Sequence, residues 1–228
     1  MSLAPPEAEG PLRRERLRTA RLYLCCEARP GGEDPEPLLA AALRGGVDIV
    51  QLREKSLPRR EIELAAQTFR RLCDNNSALF IVNDDPDLAR SCDADGVHVG
   101  QDDLAAAEAR TLLGPDAIIG LSTHSEEQIA ASAAAPVDYI SVGPIWETPT
   151  KQGRPAVGLE LISHAASNAP YPFFAIGGID SSNASAVVEA GTRRLCVVRA
   201  VRDAADPAAA AEALRAAFTP LGEEPPGA

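Results

Sequence analysis

Three polar side chains alternate along one short segment, Gln51-Leu52-Arg53-Glu54-Lys55, at the end of an apolar run. Successive side chains of an extended strand point to opposite faces, so Gln51, Arg53 and Lys55 are predicted to share one face. An arginine can hold phosphate oxygens in a two-pronged contact, and a lysine can neutralise them as a point charge. The trio therefore suits a diphosphate group, although a solvated strand end with surface ion pairs would use the same residue types.

Carboxylates follow the next two apolar runs of the chain. Asn83-Asp84-Asp85 comes after the first of these runs, and Gln101-Asp102-Asp103 comes after the second. Mg²⁺ is a hard cation that proteins hold through one or two carboxylates together with water and substrate phosphates. Either group of aspartates could instead cap the helix that follows it. Because both groups occur close to a segment suited to diphosphate, we favour a divalent-metal site formed by neighbouring strand ends.

A second set of anion-binding residue types occurs later in the chain. The longest loop carries Thr148, Thr150 and Lys151, and it is either a functional lid or a passive surface loop. Gly177-Gly178 follows one later apolar run, and Val198-Arg199 ends the next. Backbone N–H groups after the last two strands of an eight-stranded barrel commonly bind a phosphate, whereas paired glycines also form simple turns. The sequence thus predicts a phosphate site separate from the diphosphate site.

His124 follows the fifth apolar run and is open to two interpretations. An imidazole can act as an acid or base near neutral pH, or it can be a hydrogen-bonded residue of a cavity wall. We interpret His124 as a wall residue because the sequence shows no partner that would tune its protonation.

Eight short apolar runs alternate with Ala-rich stretches of helical spacing, and this order predicts the scaffold. The runs are residues 21–26, 49–53, 79–82, 96–99, 118–121, 139–142, 173–176 and 195–198. Parallel strands need a crossover helix between them, so the alternation predicts an α/β fold that is a single (β/α)₈ TIM barrel. An open doubly wound sheet is the rival fold, but the Gly-rich turn typical after its first strand is missing here.

The catalytic barrel is predicted to span residues 20–219. A flexible or helical extension, residues 1–19, is expected before it, and a flexible tail, residues 220–228, after it.

Composition restricts the partners of the protein. A chain of 228 residues with 45% hydrophobic content can form one domain with a sizeable core. The net charge of −11 argues against binding to nucleic acid or to an anionic membrane surface. No apolar run is long enough to cross a bilayer. We therefore expect small-molecule substrates and a cytoplasmic localisation, and a homo-oligomer stays possible. The five cysteines show no metal-ligand spacing, which predicts reduced, mostly buried thiols.

Six motifs, in their order along the chain, resemble the thiamine phosphate synthase (thiamin-phosphate pyrophosphorylase) family from Leu22 to about Ala217. The motifs are QLREK (Gln51–Lys55), VNDD (Val82–Asp85), DGVHVGQDD (Asp95–Asp103), GLSTH (Gly120–His124), GPIWETPTK (Gly143–Lys151) and IGGI (Ile176–Ile179). The resemblance implies a transferase of thiamine biosynthesis that uses Mg²⁺. Its substrates would be 4-amino-5-hydroxymethyl-2-methylpyrimidine diphosphate and 4-methyl-5-(2-phosphoethyl)thiazole or its carboxylated form, and its products thiamine phosphate and pyrophosphate.

The resemblance also implies roles for individual residues. Asp84 and Asp103 would bind Mg²⁺, and Ser122 would contact the pyrimidine. The pyrimidine diphosphate would be bound by Gln51, Leu52, Arg53, Glu54, Lys55 and Asn83, its pyrophosphate by Lys151, and the thiazole phosphate by Thr148, Pro149, Thr150, Gly178, Val198 and Arg199. Of these residues, Arg53, Lys55, Ser122 and Lys151 would act in catalysis. Arg199 departs from the family pattern, in which a small hydroxyl residue is common.

Two other functions are compatible with the same fold. A thiazole tautomerase would use a histidine such as His124 as its acid or base and would leave Asp84 and Asp103 without a role. A catalytically silent barrel would bind thiamine-pathway phosphates as a regulator, and it should have lost its cation-handling residues. We favour the synthase because the metal-type carboxylates and the Gln-Arg-Lys trio are all present.

Overall fold

The computed structural model describes residues 9–148 and 155–219, in which eight parallel strands form a closed barrel. The strands are β1 (Leu22–Cys26), β2 (Ile49–Leu52), β3 (Leu79–Asn83), β4 (Gly96–Val99), β5 (Ile118–Thr123), β6 (Tyr139–Val142), β7 (Phe173–Ile176) and β8 (Leu195–Val197). The helices are α1 (Glu9–Thr19), α2 (Pro35–Arg44), α3 (Arg59–Asn75), α4 (Pro86–Ser91), α5 (Ala106–Leu113), α6 (Glu126–Ser132), α7 (Gly158–Asn168), α8 (Ala184–Glu189), α9 (Arg199–Arg202) and α10 (Pro207–Ala216).

Every strand pairs in parallel with its sequence neighbour, and β1 pairs with β8 to close the sheet. The barrel predicted from the alternating pattern is therefore confirmed. Strand side chains alternate between two cores: Ile49 packs inside the barrel, whereas Val50 and Leu52 pack outside it against the helices. This alternation carries Gln51 inward, toward the carboxyl end of the barrel.

Aromatic rings fill the interior below the carboxyl end. Tyr23, Tyr139 and Phe174 are almost fully buried and meet edge to face, with ring centroids between 5.3 and 6.0 Å apart. This geometry adds favourable aromatic contacts to the burial of large apolar surfaces. The rings form a solid floor, so any ligand space lies above them.

Three aspartates support the opposite, amino-terminal end of the barrel. Asp48, Asp95 and Asp138 each stand immediately before an even-numbered strand. Each carboxylate accepts a backbone N–H at the start of the preceding strand, from Leu22 to Asp48 at 2.9 Å, from Phe80 to Asp95 at 2.8 Å and from Ile119 to Asp138 at 2.8 Å. Each also pairs with arginine, so these charges are satisfied inside the fold.

Helix α1 closes this end through the same aspartates. Arg13 lies 2.9 Å from Asp95, Arg14 lies 2.8 Å from Asp138, and Leu17 is buried in the inner core. Residues 9–19 of the expected extension are thus a docked helix, while the boundary drawn at residue 20 stays a prediction. Across residues 9–148 and 155–219, no helix is both long and apolar enough to cross a membrane.

Removal of a buried aspartate from this end should weaken the fold. Asp95 accepts from Arg13, Arg70 and the Phe80 N–H, and its side chain is 6% exposed. We expect Asp95→Ala to lower the free energy of unfolding by about 3 kcal/mol, because two arginines lose a desolvated partner. Urea denaturation measures the change. Asp87→Ala, at an exposed ion pair, is the control and should change it by less than about 0.5 kcal/mol. Equal effects of the two substitutions would contradict this account.

Candidate active site

A cavity of about 380 Å³ opens at the carboxyl ends of the strands. Most of the predicted site residues within the described ranges line it. They are Gln51, Arg53, Asn83, Ser122, Thr148, Gly178, Val198 and Arg199. Of the other predicted residues, Pro149, Thr150 and Lys151 lie outside the described part of the chain.

The QLREK segment sends only part of its side chains to the cavity. Gln51 and Arg53 line it, and Leu52 is buried in the outer core, so only its backbone is available to a ligand. Strand β2 ends at Leu52. The regular alternation of side-chain direction, which we predicted as far as Lys55, therefore does not extend to that residue. Lys55 does not line the cavity; its Nζ lies 3.8 Å from an oxygen of Asp84.

Glu54 is occupied by its own turn. Its Oε1 accepts the N–H groups of Lys55 and Ser56, both at 2.9 Å. Burial alone would raise the pKa of Glu54, but hydrogen bonds from Ser56, Lys55 and Ala28 outweigh burial and lower it. The Glu54 carboxylate therefore stabilises the turn that carries Arg53 and Lys55. A direct contact between Glu54 and the substrate would have to come from its backbone.

Asp84 and Asp103 meet at the ends of neighbouring strands. Their carboxyl groups are in hydrogen-bonding contact, and Asn83 and Lys55 both approach Oδ2 of Asp84. Burial, followed by the negative charge of Asp103, raises the pKa of Asp84 above its usual range. Two carboxylates held together against their repulsion form the type of site that a hard divalent cation stabilises. We refer to Asp84 and Asp103 as the carboxylate pair.

Helix capping, the alternative role for these aspartates, belongs to a different residue. Asp85 caps α4 by accepting the Leu88 N–H at 2.7 Å, and it pairs with Arg59 at 2.6 Å. Helix α5 begins at Ala106 after the non-capping Ala105, so the alternative that Asp102 or Asp103 caps this helix is wrong. Asp103 instead accepts the Gly100 N–H at 2.9 Å, which leaves it beside Asp84.

The metal-binding capacity of the site rests on few protein ligands. Over residues 9–148 and 155–219, no cluster of three or more His, Cys, Asp or Glu side chains could surround an ion. A cation at the carboxylate pair would complete its shell with water and substrate oxygens, as Mg²⁺ commonly does.

A chain of buried hydrogen bonds crosses the cavity floor, and our sequence analysis missed it. His98 Nε2 lies 2.9 Å from Ser122 Oγ, and His98 Nδ1 lies 3.0 Å from the Tyr139 hydroxyl. The chain continues over 2.9 Å to the Tyr23 hydroxyl, which accepts from Gln51 Nε2 at 2.6 Å. It fixes the orientations of Gln51 and Ser122, two residues predicted to contact substrate. The sequence signal that could have revealed this network is the polar residue His98 within the otherwise apolar strand GVHV.

Gly120 makes room for this network. A Cβ at this position would lie 2.2 Å from Tyr139 Cζ and 2.5 Å from His98 Nδ1. His124, by contrast, lies in the cavity wall. Its ring Nδ1 contacts the Gly143 carbonyl, and its backbone N–H donates to Gln128 Oε1. This arrangement favours the interpretation of His124 as a wall residue.

Backbone turns form the opposite side of the cavity. Gly177 and Gly178 have φ values of 106° and 67°, and a Cβ on Gly177 would lie 2.5 Å from Pro144 Cα. Asn183 donates to the Gly178 carbonyl at 2.9 Å and holds the turn in place. Val198 and Arg199 border the same space. The site thus has two arginines, Arg53 after β2 and Arg199 after β8, and these strands are separated by β1 in the closed barrel.

Comparison with known proteins gives consistent matches. A family profile described as thiamine monophosphate synthase matches residues 22–201. The thiamine-phosphate synthase of Acidothermus cellulolyticus is 50% identical over 197 residues, which cover 86% of this chain and 93% of the relative. That of Thermobifida fusca is 48% identical over 204 residues, covering 89% and 94%. A solved structure of thiamine phosphate pyrophosphorylase from Pyrococcus furiosus has a TM-score of 0.82 and 32% identity, and the match covers 91% of this chain and 100% of that one.

Neutralisation of one member of the carboxylate pair should stabilise the protein. The folded state raises the pKa of Asp84, so ionisation of Asp84 above its ordinary pKa costs stability. We expect Asp84→Asn to raise the melting temperature at neutral pH without divalent cations, and asparagine tolerates the φ of 62° at this position. Asp87→Asn makes the same change in net charge at an exposed site and should leave the melting temperature unchanged. A lower melting temperature for Asp84→Asn alone would argue against repulsion within the pair.

Proposed function

Because the chain belongs to the thiamine monophosphate synthase family, we propose that it joins the pyrimidine diphosphate to the thiazole phosphate, giving thiamine phosphate and pyrophosphate. The observation that carries the proposal is the carboxylate pair, which lies beside Lys55 and directly after Asn83, a residue that lines the same cavity as Arg53. The net charge of −11 disfavours large anionic partners, which need an extended basic surface. Small anionic substrates need only a few local cations, such as Arg53 and Lys55.

The diphosphate would bind at the β2–β3 side. Arg53 can hold its oxygens in a two-pronged contact, Lys55 can add a point charge, and Asn83 can donate its amide hydrogens. Gln51 and Ser122, oriented by the buried network, would contact the pyrimidine ring. By family resemblance, Lys151 would contact the leaving pyrophosphate.

The carboxylate pair fits Mg²⁺. Two adjacent carboxylates carry the charge that a hard cation needs, and the raised pKa of Asp84 reflects the lack of a counter-charge strong enough to offset burial and Asp103. When bound, Mg²⁺ would neutralise charge on the diphosphate oxygens. The protein's own contribution is to hold Asp84 and Asp103 together at the ends of β3 and β4.

The thiazole phosphate would bind at the β7–β8 side. Backbone N–H groups around Gly178 and Val198 are suited to phosphate oxygens, and the Arg199 side chain adds a positive charge. By family resemblance, Thr148, Pro149 and Thr150 would complete this site. The two anionic groups are then bound on opposite sides of one cavity, with the reacting ends between them.

The reaction needs position and charge stabilisation rather than a protein nucleophile. The bond between the pyrimidine methylene carbon and the diphosphate oxygen breaks, and its electron pair leaves with the pyrophosphate. The lone pair of the thiazole nitrogen forms the new carbon–nitrogen bond. Arg53 and Lys55 stabilise the departing charge, while the floor and the phosphate site align the thiazole nitrogen with the methylene carbon and its leaving oxygen.

Pyrophosphate release tests this proposal. Purified protein with both substrates and Mg²⁺ should form thiamine phosphate and pyrophosphate in equal amounts, and chelation of divalent cations should stop the reaction. Asp84→Asn should lower turnover by about a hundredfold or more and abolish the stabilisation by Mg²⁺ in thermal melts. Asp87→Asn should change neither readout. Consumption of the thiazole phosphate alone, without pyrophosphate, would instead identify a tautomerase.

The two arginines should affect different substrates. We expect Arg53→Gln to raise KM for the pyrimidine diphosphate by about 10- to 100-fold, because a charged hydrogen bond to phosphate is lost. Arg199→Gln should raise KM for the thiazole phosphate by a similar factor. Steady-state kinetics with each substrate varied in turn measures both effects, and each variant is the control for the other. If both substitutions weakened the same substrate, the assignment of two separate anion sites would be wrong.

A further inference from the structure

Two thiols stand in the cavity wall, and the proposed reaction does not use them. Cys25 on β1 and Cys196 on β8 both line the cavity, and their Sγ atoms are 3.7 Å apart. Neither cysteine is in a disulfide, and their exposures are only 5% and 3%. They come from the first and last strands, so they meet because the barrel closes.

The separation of the two sulfurs favours a bridging ion over a disulfide. A disulfide requires about 2.05 Å between the sulfurs, so the two strands or side chains would have to close by roughly 1.6 Å. Cys196 is in register with Tyr23, which places Cys25 two residues further along its strand, and the closed sheet resists such a shift. A tetrahedral ion bound at about 2.3 Å from each sulfur holds the sulfurs about 3.8 Å apart. The thiols, which are in hydrogen-bonding contact with each other at 3.7 Å, can therefore accept such an ion with little change in their separation.

We propose that Cys25 and Cys196 form a binding site for a thiophilic divalent cation of the Zn²⁺ type, and that its occupation hinders substrate binding. One cation replaces the two thiol protons, giving a neutral bis-thiolate and releasing two protons to solvent. A neutral product needs no further counter-charge in the buried wall. Thiolates select soft ions, whereas the carboxylate pair selects hard ones, so the two sites differ in chemistry.

Occupation of this site would act on substrate binding through Gln51. The Cys25 thiol donates to Gln51 Oε1 at 3.3 Å, and Gln51 Nε2 donates to Tyr23 at 2.6 Å. Loss of the thiol proton removes the donor that holds Gln51 Oε1, and the ion itself fills the wall beside it. This inhibitory consequence rests on the proposed function, whereas the binding of the ion does not.

Cobalt absorption tests the binding. We would titrate the full chain with Co²⁺ without oxygen, in excess Mg²⁺ that occupies the carboxylate pair, and record the thiolate-to-cobalt charge-transfer band. One Co²⁺ per chain should produce the band, and Zn²⁺ should bleach it. Cys25→Ser, Cys196→Ser and Cys196→Ala should each abolish it, because a single thiolate remains. Cys92→Ser is the matched control outside the cavity and should keep it.

The result that overturns the proposal is the absence of the band in the unmodified chain, or its persistence in the folded Cys25 and Cys196 variants. Activity gives a second measurement: in excess Mg²⁺, the concentration of Zn²⁺ that inhibits should rise by about tenfold or more in Cys196→Ser. An unchanged inhibitory concentration would place the inhibition at the carboxylate pair. A protein that bound Co²⁺ through both thiols but released no pyrophosphate would refute the proposed function and leave the thiol site standing.

Discussion

The proposed function depends on two like charges that the fold brings together. Strands β3 and β4 are hydrogen-bonded neighbours, and the residues that follow them place Asp84 against Asp103. Burial and mutual repulsion oppose the ionisation of Asp84, so this corner of the rim is unfavourable unless a cation is near. Lys55 meets part of that need at 3.8 Å from Asp84, and the remaining deficit is the basis of the divalent-ion affinity that we propose.

The two ends of the barrel treat charge in opposite ways. At the amino-terminal end, Asp48, Asp95 and Asp138 form ion pairs with arginines and accept backbone N–H groups. These interactions stabilise the fold. At the carboxyl end, Arg53 and Arg199 face the cavity and form no direct ion pair among the described residues, although Arg199, after the closer Arg202, helps to lower the pKa of Asp203. Their partners are expected to be substrate phosphates. The matched end keeps the barrel rigid enough to hold the unmatched end in place.

Local periodicity was enough to predict the strands and the direction of their side chains. Contacts between residues far apart in the sequence, which form when the barrel closes, could not be predicted. The inward position of Gln51 followed from strand alternation, and Arg53, the first residue after β2, keeps to it, but Lys55 lies three residues beyond the strand and does not. Asp85 and Asp103 could both have been caps, and only the actual start of α5 at Ala106 separates their roles. The contact between His98 and Tyr139, like that between Cys25 and Cys196, joins different strands through the barrel interior, and no spacing along the chain reveals it.

The most direct test of this account is the position of the divalent ion. Crystals grown with Mn²⁺ in place of Mg²⁺ and with pyrophosphate would locate the metal by its anomalous scattering. The account predicts one peak at coordination distance, about 2.1 Å, from carboxylate oxygens of both Asp84 and Asp103, with pyrophosphate bridging the ion and Arg53. A bound pyrophosphate whose metal lay away from both aspartates would contradict it.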